Sequence, residues 1–216
     1  MKIVACSDLH IPYTNRRFIT LSNYVCAREP DIAIFNGDIL DLVRCSVREI
    51  KNSKTGRELL SALKKVILKI KTIFIDGNHD PELGHSLTKL LGFEVKSVPF
   101  CCIGKTCFIH GHQFDPLCKN WNWKLLTKIA PFFFRPPSEW KKRNREKWKK
   151  KIGLIYTNAF TFLEENPWCT LLVIGHTHYP SLHELETRQW LADCGDMRDS
   201  LSGVEIENGK AKVIML

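Results

Sequence analysis

The stretch "DIAIFNGD", residues 31–38, is an apolar run that stops at a Gly-Asp turn. Its length, its β-branched content and the turn residues that bound it mark a strand buried on both faces. The construction recurs on either side. "KIVACSDLH" (2–10) is a short buried strand ending in Asp8 and His10, and "KTIFIDGNHD" (71–80) is another, ending in Asn78 and His79. "FEVKSVPFCCIGKTCFIHGH" (93–112) reads as strands with a turn at Gly104–Lys105 and a polar end at His110. "WCTLLVIGHTH" (168–178) closes the series with His176 and His178. Each run delivers metal-competent side chains at its carboxyl end. In layered α/β folds that is where sites gather, so distant segments are expected to meet at one rim.

Helices are expected between the strands. "RRFITLSNYVCARE" (16–29) has helical spacing at Phe18, Leu21 and Val25. "TGRELLSALKKVILKI" (55–70) opens on a capping-box pattern, Thr55 with Glu58, and continues amphipathic. The tail from Ser181 alternates and carries turn signals, "ENGK" (207–210) being the clearest, and is expected to form antiparallel strands.

The chain has 216 residues, 44% hydrophobic and 25% charged, which suits one domain with a core of its own. No apolar run approaches the roughly 18 residues of a membrane span. The first residues turn polar too soon for a signal peptide, so the expected location is cytoplasmic, in reach of the inner membrane face. Nine cysteines are scattered without a CxxC pair. The adjacent Cys101 and Cys102 point to opposite faces of a strand, and reduced thiols are expected throughout.

Charge is unevenly placed. Residues 119–151 hold twelve Lys/Arg against two Glu, a net of +10, whereas the whole chain carries +9. Four of the six tryptophans (Trp121, Trp123, Trp140 and Trp148) lie in that stretch. "KNWNWKLLTKIA" (119–130) is helical in pattern, "PFFFRPP" (131–137) breaks it, and a second helix follows from Ser138. In that helix Trp140, Trp148, Ile152, Ile155, Ala159 and Phe162 share one face, expected to dock on the core. A concentration of +10 repels itself unless an anion comes near: a membrane surface, a phospholipid or nucleotide-lipid substrate, or a nucleic acid.

If the strand ends converge, they supply Asp8, His10, Asp38, Asn78, His110, His176 and His178, with His79 in addition. Asp and His suit borderline divalent ions: Mn, Fe, Co, Ni, Zn. Seven ligands exceed the needs of one ion and suit two that share a carboxylate. Such a pair clamps a phosphoryl group and acidifies a water, and an unligated histidine beside it can protonate the leaving group. Glycines in "NGD", "DGNHD", "HGH" and "IGHTH" are expected to provide turns with positive φ.

The ordered set "SDLH", "NGDILD", "GNHD", "HGH" and "GHTH" resembles the five motifs of calcineurin-like metallophosphoesterases, across essentially the whole chain. The resemblance implies a four-layer αββα sandwich, α/β (α+β) in class. It implies two divalent ions, Mn2+ first, with Fe, Zn, Co or Ni as alternatives. Asp8, His10, Asp38 and His178 would hold one ion. Asp38 would bridge to the other, held with Asn78, His110 and His176. His79 would be the proton donor, oriented by Asp80.

A narrower resemblance is to the branch containing UDP-2,3-diacylglucosamine pyrophosphatases. It rests on "HGHQFD" with its trailing Asp115, on an insertion between the last two motifs, and on the tail "ADCGDMRDSLSGVEIENGK". That branch typically has Arg at the place of His79 and Glu at that of Asp41. By this resemblance the chain is one domain, 1–216, with a basic helical lid at about 117–163. His112, Trp121, Trp123, Lys124, Arg135 and Arg143 are its candidate contacts to substrate or membrane. The expected activity is hydrolysis of a phosphodiester or pyrophosphate in a lipid-linked or nucleotide-linked substrate. A nucleotide or nucleic-acid phosphodiesterase is the second reading. A non-catalytic interaction module using the basic arm is a third.

Overall fold

A computed structural model describes residues 1–13, 18–118, 125 and 145–215. Trp121, Trp123, Lys124, Arg135, Trp140 and Arg143 lie outside the described residues.

Among the described residues eleven strands form two sheets. The strands are β1 (Lys2–Cys6), β2 (Ile32–Asn36), β3 (Lys71–Ile75), β4 (Ser97–Val98), β5 (Phe100–Ile103), β6 (Thr106–Ile109), β7 (Leu171–Ile174), β8 (Ser181–Glu184), β9 (Trp190–Asp193), β10 (Ser202–Glu207) and β11 (Lys210–Met215). The first sheet runs β11-β10-β1-β2-β3-β4 and the second β5-β6-β7-β9-β8. The helices are α1 (Phe18–Ala27), α2 (Val47–Asn52), α3 (Lys54–Lys69), α4 (Leu83–Leu91) and α5 (Arg145–Glu165).

Period-two alternation along the strands sorts their side chains into separate cores. Val4 and Cys6 of β1, with Ala33 and Phe35 of β2, face a core completed by Leu59, Leu63 and Val66 of α3 and by Leu83 and Leu87 of α4. Ile3, Ala5, Ile32 and Ile34 face the other way and meet Phe108, Leu171, Val173 and Ala192 of the second sheet. The outer face of that sheet, with Cys107, Leu172, Ile174 and Leu191, packs on Ile152, Ile155, Ala159 and Leu163 of α5. Helices, sheet, sheet and helix make the αββα sandwich.

Within the sheets β1, β2 and β3 run parallel, and so do β6, β7 and β9. Buried Asn36 ties the two sets together at their carboxyl ends: its Nδ2 donates to the carbonyls of Ile109 (3.1 Å) and Val173 (3.2 Å).

Several local expectations are corrected. The capping box lies one helix earlier, at Ser46 with Glu49. α3 starts instead on Ser53, whose hydroxyl accepts from Gly56 N and which also ends α2. The tail is not wholly antiparallel, because β9 joins β7 in parallel. Cys102 and Cys107 are bonded to each other: the Gly104–Lys105 turn sets them directly opposite across β5 and β6. Another concerns two glycines and is described with the site. Among the described residues no helix is long and apolar enough to cross a membrane.

Candidate metal centre

Five predicted ligands sit in the left-handed region of backbone space: Asp8 (φ 55°), His10 (49°), Asp38 (52°), His176 (68°) and His178 (57°). Such conformations are uncommon outside glycine and each costs on the order of 1 kcal/mol or more, so five together at one rim mark an over-determined site. They let alternate residues divide the work. Leu9, between Asp8 and His10, is buried in the helix-side core, and Thr177, between His176 and His178, donates to Asp193 (2.6 Å).

Among the described residues the donor atoms form four overlapping groups, two of them made of predicted ligands alone. In the first, Asp8 Oδ1 lies 3.1 Å from His178 Nε2 and 3.5 Å from His10 Nε2, and the two imidazole nitrogens are 3.4 Å apart. In the second, Asp38, His110 and His176 converge, with His110 Nε2 3.3 Å from Asp38 Oδ1. An ion with bonds of about 2.0–2.2 Å spaces its ligands at about 3.0–3.5 Å, which these separations match. Asp38 also reaches toward the first group, its other oxygen lying 3.8 Å from His10 Nε2, and it forms a further group with His10 and His79. Asp8 Oδ1, Asn78 Oδ1 and His110 Nε2 are buried and have no hydrogen-bond partner in the protein. Buried polar atoms are seldom left so, and here all three are predicted ligand atoms. The residues present fit divalent metal binding.

Electrostatics agree. Burial opposes ionisation of Asp8, yet His178, His10 and His110 hold its carboxyl well below the usual range. Asp38 is likewise held low against burial, chiefly by His110 and His79. Burial pushes His10 below its ordinary value and His176 down to about 4, so both are neutral near pH 7, the form that ligates. Burial also opposes protonation of His110, but Asp38 outweighs it and lifts the ring to about 10. A ring that draws a proton so strongly stands where a cation is favoured.

Four of the histidines have a partner behind them. His110 Nδ1 donates to the Asn36 carbonyl (2.8 Å), which leaves Nε2 for the centre. His178 Nδ1 lies 3.4 Å from Asp196, and His176 Nε2 donates to Asp115 (2.9 Å). His79 Nδ1 donates to Asp41 (2.9 Å), while its Nε2 faces Asp38 at 3.9 Å. The expectation that Asp80 orients His79 is therefore corrected: Asp41 does. Asp80 instead accepts from the backbone N–H of Asp38, Ile39, Leu40 and Gly77, fixing the turn that carries Asp38. His112 follows in a short turn, its ring 5.5 Å from that of His110, and burial lowers it to about 3.

Sequence reasoning left Asn36, Ser7, Lys151 and the Thr177–Asp193–Tyr156 group without a role. A polar residue inside an otherwise apolar strand was the available signal for Asn36; nothing local marks the others.

The glycines divide. Gly37 (φ 83°) and Gly111 (108°) use positive φ as expected, but Gly77 and Gly175 do not. A Cβ on Gly77 would stand 2.2 Å from Asp38 Oδ1, and one on Gly175 1.9 Å from Ser7 Oγ and 2.8 Å from Asp8 Oδ2. At these two, close approach of β3 and β7 to neighbouring strand ends is the constraint. Gly175→Ala is expected to cost roughly 1–3 kcal/mol by overpacking and to part His176 N from Asp8 Oδ2, now 2.8 Å apart. Thermal melts and metal content check it; an unchanged melt with full metal content refutes it.

The family model of calcineurin-like phosphoesterases matches residues 1–180. A UDP-2,3-diacylglucosamine hydrolase of Shewanella sp. (strain W3-18-1) is 27% identical over 147 residues, covering 60% of this chain and 61% of that protein, less than two thirds of either. One from Psychromonas ingrahamii is 28% identical over 180 residues, 71% of this chain and 70% of that protein. Among solved structures, Yfce, a phosphoesterase from E. coli, superposes with a TM-score of 0.56 at 18% identity over 100% of this chain and 93% of that one, a likeness of fold. The extent of the family match, over motifs that the fold brings to one rim, shows that the chain belongs to the calcineurin-like phosphoesterase family of metal-dependent phosphoesterases.

Proposed function

We propose that the protein is a dinuclear metal-dependent hydrolase of a phosphodiester or pyrophosphate bond. The carrying observation is Asp38, whose two oxygens address different donor groups: Oδ1 faces His110, and Oδ2 faces His10. Asp8, His10, Asp38 and His178 would hold one ion, and Asp38, Asn78, His110 and His176 the other. Bound there, the ions supply an activated water and neutralise charge on the phosphate oxygens.

The chain's own residues do the rest. Asp41 fixes the His79 ring through Nδ1, so the proton on Nε2 points to the rim for the leaving oxygen. Burial opposes protonation of His79, but Asp38 and Asp41 together raise it above its ordinary value, which favours the protonated ring that a general acid needs. His112, beside His110 with a buried, unpartnered Nδ1, is placed to meet substrate.

For substrate, we favour an amphipathic lipid-linked phosphate taken from the inner membrane face, with Mn2+ as the working ion in a cytoplasmic protein. Two things support this: the relatives' printed name, UDP-2,3-diacylglucosamine hydrolase, and the net +10 of residues 119–151 with their tryptophans and "PFFF". In this reading Trp121, Trp123, Lys124, Arg135 and Arg143, which lie outside the described residues, are the contacts to substrate or membrane. The test pairs two measurements on Mn-loaded protein. Hydrolysis of bis-p-nitrophenyl phosphate is expected, and failure to cleave either that or the monoester sinks the enzyme reading. Anionic vesicles are expected to bind more tightly than single-stranded RNA across a salt titration; the reverse order assigns a nucleic-acid substrate instead.

A further inference from the structure

Asp115 follows the "HGH" motif by three residues and is fully buried; it lies outside the donor groups around Asp38 and Asp8 and forms a group of its own with Cys118 and His176. Its Oδ2 is a hub: it accepts from His176 Nε2 (2.9 Å) and from Lys151 Nζ (2.7 Å), with Cys118 Sγ at 3.4 Å. Its Oδ1 accepts from Leu117 N at 3.0 Å, which pins the carboxylate in this orientation.

A carboxylate oxygen has no hydrogen to give, so a ring nitrogen at 2.9 Å must carry the proton. His176 is then the Nε2–H tautomer, and Nδ1 is the nitrogen it can offer a metal. Lys151 comes from α5, whose buried face packs on the second sheet. The same helix reaches the histidine turn a second time: the Tyr156 hydroxyl lies 3.2 Å from Asp193 Oδ2, the oxygen that Thr177 also meets. The arrangement has a counterpart across the site, where Arg44 (3.1 Å) sits on the carboxylate of Asp41 that backs His79. A cation, an acid and an imidazole stand in line at both places.

We propose that Asp115 and Lys151 are positioning residues for His176. Asp115 selects the Nε2–H tautomer, and Lys151, sharing the same oxygen, fixes the place of the Asp115 carboxylate and joins the seat of α5 to that ligand. The inference rests on the dinuclear reading only for its metal consequence. The tautomer is a property of the chain alone.

The experiment therefore reads both. Histidine-selective 15N labelling and long-range 1H–15N correlation spectra of the metal-free protein, with the His176 signals identified by their loss in His176→Gln, are expected to show the Nε2–H form. An Nδ1–H ring overturns the proposal whatever the metals do. In Mn2+ titrations Lys151→Met and Asp115→Asn are expected to weaken the second ion roughly 10- to 100-fold and to spare the first, the usual effect of losing an outer partner of a ligand, and Lys151→Arg is expected to restore it. If Lys151→Met binds two ions as tightly as the parent, or loses both equally with a lowered melting temperature, the lysine is structural and the proposal falls. If the parent chain itself takes up one ion only, the dinuclear reading fails while the tautomer still decides the role of Asp115.

Discussion

Replacing Asp38 with Asn is expected to strip the protein of both ions and to lower turnover well beyond the roughly 10- to 100-fold typical of losing an outer partner. The substitution is chosen because the fold should survive it. Asn is nearly isosteric with Asp and is among the side chains that tolerate the left-handed region, where residue 38 sits at φ 52°. Its amide oxygen can still accept from His79 N, now 2.8 Å from Asp38 Oδ1. What disappears is the negative charge between His110 on one side and His10 on the other. Metal analysis after Mn loading, with circular dichroism to confirm folding, gives the answer. A folded Asp38→Asn variant that keeps one ion at full occupancy would show that this carboxylate serves a single site.

The candidate ligands could be picked out as a set because their signal is local. A short apolar run ending in Gly-Asp or Gly-His can be recognised wherever it occurs, and five in order leave one arrangement in which all can be satisfied. Parallel strands β1, β2, β3, β6 and β7 then carry Asp8, Asp38, Asn78, His110 and His176 to one rim. What could not be read is which acid backs which imidazole, since these pairs are far apart in sequence. His79 is backed by Asp41, 38 positions away, rather than by its neighbour Asp80, whose carboxylate is taken up by four backbone N–H groups. His176 is backed by Asp115, 61 positions away. The positive-φ argument failed at Gly77 and Gly175 for the same reason: a close approach between separate strands leaves no mark in the local sequence. Conversely, the strain predicted for glycines is carried by the ligands themselves.

Replacing His79 with Ala is expected to leave both ions bound and to cut turnover by roughly 10²- to 10⁴-fold, the range for loss of a general acid. The geometry makes this a sharp test, because His79 also falls within ligand range of His10 and Asp38. If His79 were a ligand, the variant would lose an ion; as a donor it loses a proton. The leaving group separates the two further. A p-nitrophenolate departs without protonation, so its diester should suffer least, whereas an alkyl or sugar phosphate should show the full loss. Asp41→Asn should act through the same proton. Asp41 helps to raise the His79 ring above its ordinary value against burial, so its neutralisation lowers that pKa. A general acid works while protonated, and the alkaline limb of the rate profile should therefore shift to lower pH. The chemistry also explains why histidine matters at this position. The arginine typical of the resembled branch holds its proton at any working pH and can only neutralise charge. An imidazole backed by Asp41 can hand its proton over, which fits a substrate whose departing oxygen needs one.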